Sequence, residues 1–205
     1  MSKADPDPGR SSEPTPSDAI EALLRESGAI LSGHFLLTSG RHSDVYFEKF
    51  RILERPDVLS RVCAEIARNL PQRPDVVAGP TTGGIIVAFE VARQVGASGL
   101  YVEREDGERV LRRGATIQPG AKVLVVDDVL TTGVSVREVV DLLRRQGAEV
   151  VGVGVLIDRS QEPVDFGCPM YAAYRVEARS YAPDEVPDWL AAIPVTKPGT
   201  RPMGT

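Results

Sequence analysis

The chain has few cysteines and no long apolar segment. Only two of its 205 residues are cysteine, Cys63 and Cys168, and their separation fits neither a disulfide framework nor a metal-binding motif. Two isolated thiols are typical of a reducing compartment, so we expect a cytoplasmic protein. No run of about 18 apolar residues is present, so no membrane-spanning helix is predicted. The N-terminus also lacks the apolar segment of a signal peptide.

The chain also lacks an excess of positive charge. It contains 24 Lys and Arg residues against 29 Asp and Glu residues, which gives a formal net charge of −5. Proteins that bind nucleic acid usually have a basic patch or stripe, so this composition argues against that class. It does not exclude a phosphate ligand, because one phosphate site needs only a few local donors.

The length and composition predict one domain preceded by a tail. Residues 1–16 are rich in proline, serine and charge and offer almost nothing to bury, so we expect them to be disordered. The chain is 42% hydrophobic, which is enough to build a full core. We therefore expect residues 17–205 to form a single domain.

Hydrophobic periodicity along this domain alternates between helix and strand. We predict helices over residues 19–26, 56–70, 85–95 and 134–145, and strands over residues 75–78, 100–102, 122–126, 150–157 and 171–176. This order predicts an α/β fold with a mostly parallel five-stranded sheet that is flanked by helices on both faces.

The segments outside this sheet carry turn and charge signals. Residues 34–50 predict a β-hairpin that turns at Ser39 and Gly40, and Ser17 is predicted to be the N-cap of the first helix. Residues 103–114 are highly charged and are predicted to form a mobile loop. We expect the terminal segments, mainly residues 17–50 and 160–205, to form a small hood over the carboxyl edge of the sheet.

The strongest functional pattern lies in residues 122–138, KVLVVDDVLTTGVSVRE. A short β-branched run precedes Asp127 and Asp128, and a Thr-Thr-Gly turn then leads into a helix. Ligands of open α/β sheets bind at the carboxyl ends of strands, and a helix N-terminus favours an anion. Two carboxylates beside such an anion site fit a ligand that has hydroxyls or a metal together with a phosphate, such as ribose 5-phosphate.

The acidic pair alone has other interpretations. Acids are common at strand ends in doubly wound proteins, and receiver domains use such acids to bind a metal and accept a phosphoryl group. A P-loop is excluded because no G-x-x-x-x-G-K-[ST] motif occurs. The full order, an apolar run followed by D-D, two apolar residues and T-T-G-x-S, resembles the 5-phosphoribosyl 1-diphosphate (PRPP) signature of type I phosphoribosyltransferases.

This resemblance implies the type I phosphoribosyltransferase fold and a PRPP site. The residues that it implies for PRPP binding in this segment are Asp127, Asp128, Val129, Leu130, Thr131, Thr132, Gly133, Val134 and Ser135. In the family the two acids hold the ribose hydroxyls, and the backbone amides and hydroxyls that follow hold the 5-phosphate.

A second loop, GPTTGG at residues 79–84, also follows a strand and opens a helix. Glycines allow the backbone to approach a ligand closely, and consecutive N–H groups can form an anion nest. Taken alone, this hexapeptide also fits an ordinary tight turn between strand and helix. The resemblance implies that Thr81, Thr82 and Gly83 bind the pyrophosphate. Position 83 is lysine in some members of the family and glycine in another branch.

Residues 33–47, GHFLLTSGRHSDVYF, resemble the N-terminal segment of orotate phosphoribosyltransferases in particular. The matching residues are Phe35, Leu37, Ser39, Gly40, Ser43, Tyr46 and Phe47. The resemblance implies that Tyr46 and Phe47 lie against the flat pyrimidine, that Thr131 also contacts orotate, and that Arg159 binds its carboxylate. Taken without the signature at residues 127–135, this segment is better explained as an edge hairpin with core aromatics, and Arg159 as a surface charge.

The charged loop departs from the family pattern. The family commonly has lysines and a histidine there that reach across a dimer, whereas residues 103–109 read EREDGER. Arg104 keeps the leading basic position, and the resemblance implies that the partner chain supplies it to the pyrophosphate. A solvated loop of mixed charge is the alternative interpretation.

The resemblance covers roughly residues 18–200 and implies an enzyme. It implies transfer of the 5-phosphoribosyl group from PRPP to orotate in pyrimidine biosynthesis, with Asp127, Asp128 and Arg104 as catalytic residues. It further implies Mg²⁺ held mainly through ligand and water near the two acids, and a homodimer with shared active sites. A non-catalytic PRPP-binding regulator and a phosphoribosyltransferase for another base remain as alternatives.

Overall fold

The structure is a computed structural model that describes residues 15–112, 114–176 and 179–198. In chain order its elements are α1 (Pro16–Glu26), β1 (Ile30–Leu36), β2 (His42–Phe47), α2 (Phe50–Leu53), α3 (Pro56–Asn69), β3 (Val76–Pro80), α4 (Gly83–Val95), β4 (Ser98–Glu105), β5 (Glu108–Val110), β6 (Lys122–Leu130), α5 (Val134–Arg145), β7 (Glu149–Asp158), β8 (Met170–Arg175), β9 (Ser180–Tyr181), α6 (Asp188–Ala191) and β10 (Val195–Thr196). No helix in the described ranges is long and apolar enough to span a bilayer.

The main sheet has six strands in the order β5-β4-β3-β6-β7-β8. Strands β4, β3, β6, β7 and β8 pair in parallel, and β5 pairs with β4 in the antiparallel sense. The predicted α/β class and the mostly parallel sheet are therefore confirmed. The additional edge strand β5 comes from residues 103–114, for which the sequence predicted a loop.

The core lies in two layers, one on each face of this sheet. Consecutive residues of β6 point to opposite faces, so Leu124 and Val126 pack with α1, α3 and α4, whereas Val123 and Val125 pack with α5. All four side chains are fully buried. A strand that is buried on both faces has a continuous β-branched run, which explains the sequence of β6.

A second, smaller sheet has the order β10-β1-β2-β9. The predicted hairpin is present as β1 and β2, with Gly40 in the turn at a φ of 78°. Strands β9 and β10 come from residues near the C-terminus, so the small sheet joins the two segments that the sequence assigned to the hood. The division into a tail and a domain with a hood stays a prediction, and residues 1–14 lie outside the described residues.

Several predicted boundaries are wrong by a few residues. The N-cap of α1 is Thr15 rather than Ser17: the Thr15 hydroxyl accepts from the Asp18 N–H at 3.2 Å, and the Asp18 carboxylate accepts from the Thr15 N–H at 2.9 Å. This capping box leaves the proline of the helix at its first position, where it is tolerated. Cys63 is buried in α3, as its helical pattern predicted, and burial raises the pKa of its thiol to about 12.

Candidate active site

The two acids lie inside the last part of β6, not after its end. The strand continues to Leu130 because it stays paired with β7 as far as Asp158. The Asp127 carboxylate accepts from the Asp128 N–H at 2.8 Å, and the Asp128 carboxylate accepts from the Val129 N–H at 2.7 Å. Each carboxylate is thus oriented by the peptide that follows it.

Both carboxylates are largely buried, with exposed fractions of 9% for Asp127 and 5% for Asp128. Burial, and then the neighbouring charge of Asp128, raises the pKa of Asp127 to about 7. The Lys49 ammonium lies 2.8 Å from the Oδ2 atom of Asp128. Lys49 follows the aromatic pair of β2, and no pattern in the sequence indicated it as a site residue.

The loop between β6 and α5 has the form of an anion site. Gly133 is the N-cap of α5 at a φ of 76°, and a Cβ atom there would lie 2.7 Å from Val164 Cγ1. Only glycine fits this position without displacing its neighbours. Thr131 and Thr132 are exposed, and the first turn of α5 contains no acid. The first N–H groups of a helix lack intrahelical partners, and no carboxylate in the first turn of α5 competes for them.

The loop between β3 and α4 lies next to this acidic pair. A Cβ atom on Gly79 would lie 2.1 Å from the Gly84 carbonyl oxygen, and a Cβ atom on Gly83 would lie 1.7 Å from Asp128 Oδ2. Because these glycines have no side chains, the two ends of the loop can pack against each other and the loop can pack against the Asp128 carboxylate. The Thr81–Thr82 peptide bond is cis. Because β3 and β6 are neighbours, the two predicted phosphate loops lie side by side.

A cavity of about 1130 Å³ opens between the main sheet and the small sheet. Four of its lining residues are those that the sequence implied for orotate, namely Tyr46, Phe47, Thr131 and Arg159. Both aromatics line the cavity, although Phe47 also belongs to the buried core. The sequence did not indicate the other polar side chains of this lining, which include Arg41, Gln161, Arg179 and Tyr181.

The guanidinium group of Arg159 has no carboxylate partner among the described residues. Its backbone N–H donates to the Leu130 carbonyl at 2.8 Å, which holds the residue beside the loop after β6. Arg175 in the neighbouring strand differs, because it forms an ion pair of 2.6 Å with the buried Asp158. An arginine without a partner at the wall of a cavity can bind a carboxylate through two parallel hydrogen bonds.

The arginines of the β4–β5 hairpin contact α5 of the same chain. Arg104 donates to Glu138 and to the Gly107 carbonyl, the latter at 2.6 Å. Arg109 has a side chain only 5% exposed, lies 3.0 Å from the Glu138 carboxylate and donates to the Ser135 hydroxyl. The structure therefore pairs Arg104 with α5 of its own chain, and it adds Arg109, which the sequence did not indicate, beside the predicted phosphate site.

The donor set fits a magnesium ion that is held mostly by its ligand. Within the described ranges, no group of three or more His, Cys, Asp or Glu side chains is placed to hold a metal. Asp127 and Asp128 nevertheless offer hard oxygen donors at one edge. Mg²⁺ is usually bound by one or two carboxylates together with water and substrate phosphates, so this pair is sufficient.

A strand-end carboxylate pair between two glycine-containing loops is the arrangement expected of a phosphoribosyltransferase. The family described as "Phosphoribosyl transferase domain" matches residues 51–167. An orotate phosphoribosyltransferase from Pelotomaculum thermopropionicum is 50% identical over 185 residues, which cover 90% of this chain and 97% of that protein. One from Chlorobium phaeobacteroides is 45% identical and covers 87% and 93%. This chain belongs to the orotate phosphoribosyltransferase family.

Solved structures agree with this assignment. The crystal structure of orotate phosphoribosyltransferase from Aeropyrum pernix has a TM-score of 0.64 and 30% identity, over 77% of this chain and 94% of that chain. Adenine phosphoribosyltransferase from Thermoanaerobacter pseudethanolicus has a TM-score of 0.56 at 18% identity, over 64% of this chain and 88% of that chain. The second likeness shows the fold alone, so the fold does not determine which base is used.

Proposed function

We infer that this enzyme transfers the 5-phosphoribosyl group from PRPP to orotate, giving orotidine 5′-monophosphate and pyrophosphate. One observation carries the inference: the loop that follows the acidic pair lines, through Thr131 and Thr132, the same cavity as Arg159, whose guanidinium has no carboxylate partner among the described residues. A ribose with a phosphate at each end fits the loops, and a planar carboxylate fits the cavity. The reaction is a step of pyrimidine biosynthesis.

The sugar phosphate binds along the end of β6. Asp127 and Asp128 accept hydrogen bonds from the ribose hydroxyls. The 5-phosphate accepts hydrogen bonds from the backbone N–H groups of residues 131–135. It also accepts from the hydroxyls of Thr131, Thr132 and Ser135. The PRPP site further includes the backbone of Val129, Leu130, Gly133 and Val134. Free N–H groups and the dipole at the start of α5 support this placement.

The pyrophosphate binds the second loop, through Thr81, Thr82 and the backbone at Gly83. Arg104 of the partner subunit adds a positive charge there. This role requires the ion pair between Arg104 and Glu138 to open, and the arginine is exposed enough to move. Opening and closing of a charged hairpin over the site would also exclude water, which otherwise hydrolyses the sugar phosphate.

Orotate lies in the cavity between the sheets. Arg159 binds its carboxylate, Tyr46 and Phe47 contact its flat ring, and Thr131 lies between the base and the sugar phosphate. The lining at Thr131 and Thr132 is shared by the cavity and the phosphate loop, so a base in the cavity would stand next to the ribose. This continuity supports transfer between the two ligands.

The chemistry needs little covalent help from the protein. The bond from C1 of the ribose to pyrophosphate breaks and the bond from C1 to N1 of orotate forms, while the N1 proton passes to the leaving pyrophosphate or to water. The transition state has oxocarbenium character as in glycoside hydrolysis. Positioning and electrostatic stabilisation therefore dominate. Bound magnesium would neutralise pyrophosphate oxygens, and Asp127 and Asp128 would orient it through water and the ribose hydroxyls.

A homodimer is part of this proposal. Ile86 and Phe89 stand one turn apart on α4 and are exposed, Phe89 by 69%. Phe50 on the adjoining α2 is also exposed. Exposed apolar side chains of this size on two neighbouring helices support a contact with a second copy. Two free thiols, Cys63 and Cys168, support a cytoplasmic location.

Asp128→Asn tests the function directly. Removing the charge should lower turnover at least about 10²-fold, because the ribose and its metal lose an anionic ligand at the reacting centre. The decrease in orotate absorbance with PRPP and magnesium measures turnover, and thermal unfolding measures stability. Asp141→Asn, on the exposed side of α5, is the control.

The outcomes separate the possible functions. Loss of turnover in Asp128→Asn with an unchanged melting temperature supports the proposed role. Normal turnover of orotate by this variant contradicts it. Wild-type protein that binds PRPP but leaves orotate unchanged would instead be a regulator, and one that consumes a different base would be a transferase for that base.

A further inference from the structure

Lys49, Asp128 and Gly83 form a contact cluster at the centre of the site. The Lys49 ammonium lies 2.8 Å from Asp128 Oδ2, and the same oxygen lies 1.7 Å from the point where a Cβ atom of residue 83 would stand. The ammonium and the loop at residues 79–84 therefore both adjoin the same carboxylate oxygen. We propose that Lys49 is a substrate-binding residue that holds Asp128 in the free enzyme and moves to the diphosphate when PRPP binds. This inference rests on the proposed function.

The charges around the loop favour a further cation in addition to Arg104. Residues 79–84 contain no charged side chain, and two carboxylates stand beside them. A diphosphate that approaches this loop is repelled by the acids, and backbone N–H groups only partly compensate. The side chain of Lys49 is 40% exposed, so its ammonium can rotate about its flexible stem from the carboxylate to a neighbouring phosphate oxygen.

When Lys49 moves from Asp128 to the diphosphate, the buried carboxylate does not lose its partner, because the ribose replaces the ammonium. The side chain of Asp128 is 7% exposed, so removing Lys49 alone would leave an unpaired carboxylate at a high cost in free energy. Ribose hydroxyls can donate to Asp128 at the moment when the ammonium leaves. A ligand that has both hydroxyls and a diphosphate therefore makes the exchange favourable, whereas a ligand with hydroxyls alone only competes with Lys49.

Gly83 is part of the same arrangement. Any side chain at this position would collide with Asp128 unless the carboxylate moved, so residue 83 cannot itself bring a cation to the loop. Lys49, at the start of α2, is free of this constraint because it approaches Asp128 from a different element. The small sheet and α2 thus contribute a positive charge that the loop sequence lacks.

Binding measurements with two ligands test the role. Lys49→Met removes the charge and keeps the stem, Lys49→Arg keeps the charge, and Arg51→Gln removes a neighbouring exposed charge whose partner is Glu54. Calorimetry would compare PRPP, which has the diphosphate, with orotidine 5′-monophosphate, which lacks it, both with magnesium. We expect Lys49→Met to weaken PRPP binding about tenfold or more, the loss of one charge-assisted contact, and to leave the nucleotide bound as tightly as before or more tightly.

The controls define what overturns the proposal. Lys49→Arg should retain most of the PRPP affinity, and Arg51→Gln should change neither ligand. Equal weakening of both ligands in Lys49→Met would make Lys49 only a support for Asp128, and no weakening of either would make it a surface ion pair. Either result would overturn the proposed role of Lys49 but not the proposed function of the enzyme. Wild-type protein that bound neither ligand would overturn the proposed function as well.

Discussion

At the scale of single residues, the two adjacent aspartates have different properties. Asp128 has an ammonium partner, whereas Asp127 has no ion-pair partner among the described residues and has a pKa raised to about 7. At pH 7 the Asp127 carboxyl is therefore protonated in about half of the molecules. The pair presents both an acceptor and a partial donor to ribose hydroxyls.

Asp127 should make the ligand-free protein less stable as the pH rises. The unfolded chain releases the proton of this carboxyl near the ordinary pKa of 3.8, and the folded chain releases it near 7. Between these values the folded state binds more protons, so its free energy of unfolding falls with increasing pH. The Asp127→Asn variant has no carboxyl group to ionise at this position, so its free energy of unfolding should not fall in this way. We expect it to be more stable than the wild type by a few kcal/mol at most at pH 8.

Denaturant titrations between about pH 5 and 8, without ligand or metal, would measure this difference. The advantage of Asp127→Asn should grow as the pH rises to about 7 and then level off. The exposed Asp141→Asn variant should run parallel to the wild type. Parallel curves for Asp127→Asn as well would show that Asp127 ionises normally in the folded protein.

The sequence predicted the residues of local motifs and missed those that distant packing adds. Asp127, Asp128 and Gly133 follow one another within a strand, a turn and a helix start, so their order indicated their positions in the fold. Lys49 and Arg109 reach the same region from other elements. Their contacts exist only because the hairpins that carry them fold onto the sheet, and no spacing in the sequence records that approach.

At the scale of elements, the segment at residues 103–110 is where the predicted loop differs most from the structure. It forms an antiparallel extension of the sheet that turns at Asp106 and Gly107, with φ values of 49° and 88°. Two consecutive residues with positive φ match the twist of a two-residue hairpin, and Asp-Gly is a preferred sequence for it. A loop was predicted here because the segment is highly charged, although its Asp-Gly pair is typical of a hairpin turn. Whether the hairpin moves over the site stays a prediction.

The contact between helices α3 and α4 depends on Glu90. Its carboxylate accepts from the Ser60 hydroxyl at 2.7 Å, from Gln94 at 2.7 Å and from Arg93 at 2.8 Å. Arg93, and then Gln94 and Ser60, lower its pKa to about 2 against the opposing effect of burial. The residue is 7% exposed, so these bonds are only weakly screened by solvent.

Glu90→Gln should destabilise the protein at neutral pH by about 1–3 kcal/mol, because the helix pair loses a charge-assisted network. A lowered pKa contributes stability above the ordinary value of 4.5, and that stability is lost as the pH falls towards 2. The difference from the wild type should therefore shrink below about pH 4.5. Denaturant unfolding at several pH values would measure it.

Glu54→Gln is the matched control for this change. Glu54 forms an exposed ion pair with Arg51, which should contribute at most about 0.5 kcal/mol. A Glu90→Gln deficit that stayed constant down to pH 3 would contradict the electrostatic explanation, since packing alone does not depend on the protonation of this group.

At the scale of the whole molecule, the cavity exists because distant segments form one small sheet. Strand β10 pairs with β1 at His34 and Val195, and the His34 ring bonds both the Ile193 carbonyl at 3.0 Å and His42 at 2.6 Å. Periodicity predicted the hairpin β1–β2 but could not predict which later residues would extend it. The paired strands β1 and β10 lie far apart in the sequence, so their pairing depends on the global topology. This wall of the cavity was therefore not predictable from local patterns.

The subunit that supplies Arg104 can be determined by mixing two inactive variants. Asp128→Asn and Arg104→Gln should each lose most of their turnover. If Arg104 acts in the site of the partner, a mixed dimer has one site with both substitutions and one site with neither. Random exchange between equal amounts of the variants makes about half of the dimers mixed, so about a quarter of the wild-type activity should return.

An arginine that acts in its own chain gives a different result. Each site of a mixed dimer would then lack either Arg104 or Asp128, and mixing would restore nothing. The ion pair of Arg104 with Glu138 shows that the side chain can remain within its own subunit when no ligand is bound. Coexpression of the two variants, with Phe89→Asp added to both in a parallel sample, completes the test. This exposed substitution on α4 should separate the subunits and abolish the restored activity, because a shared site requires the dimer.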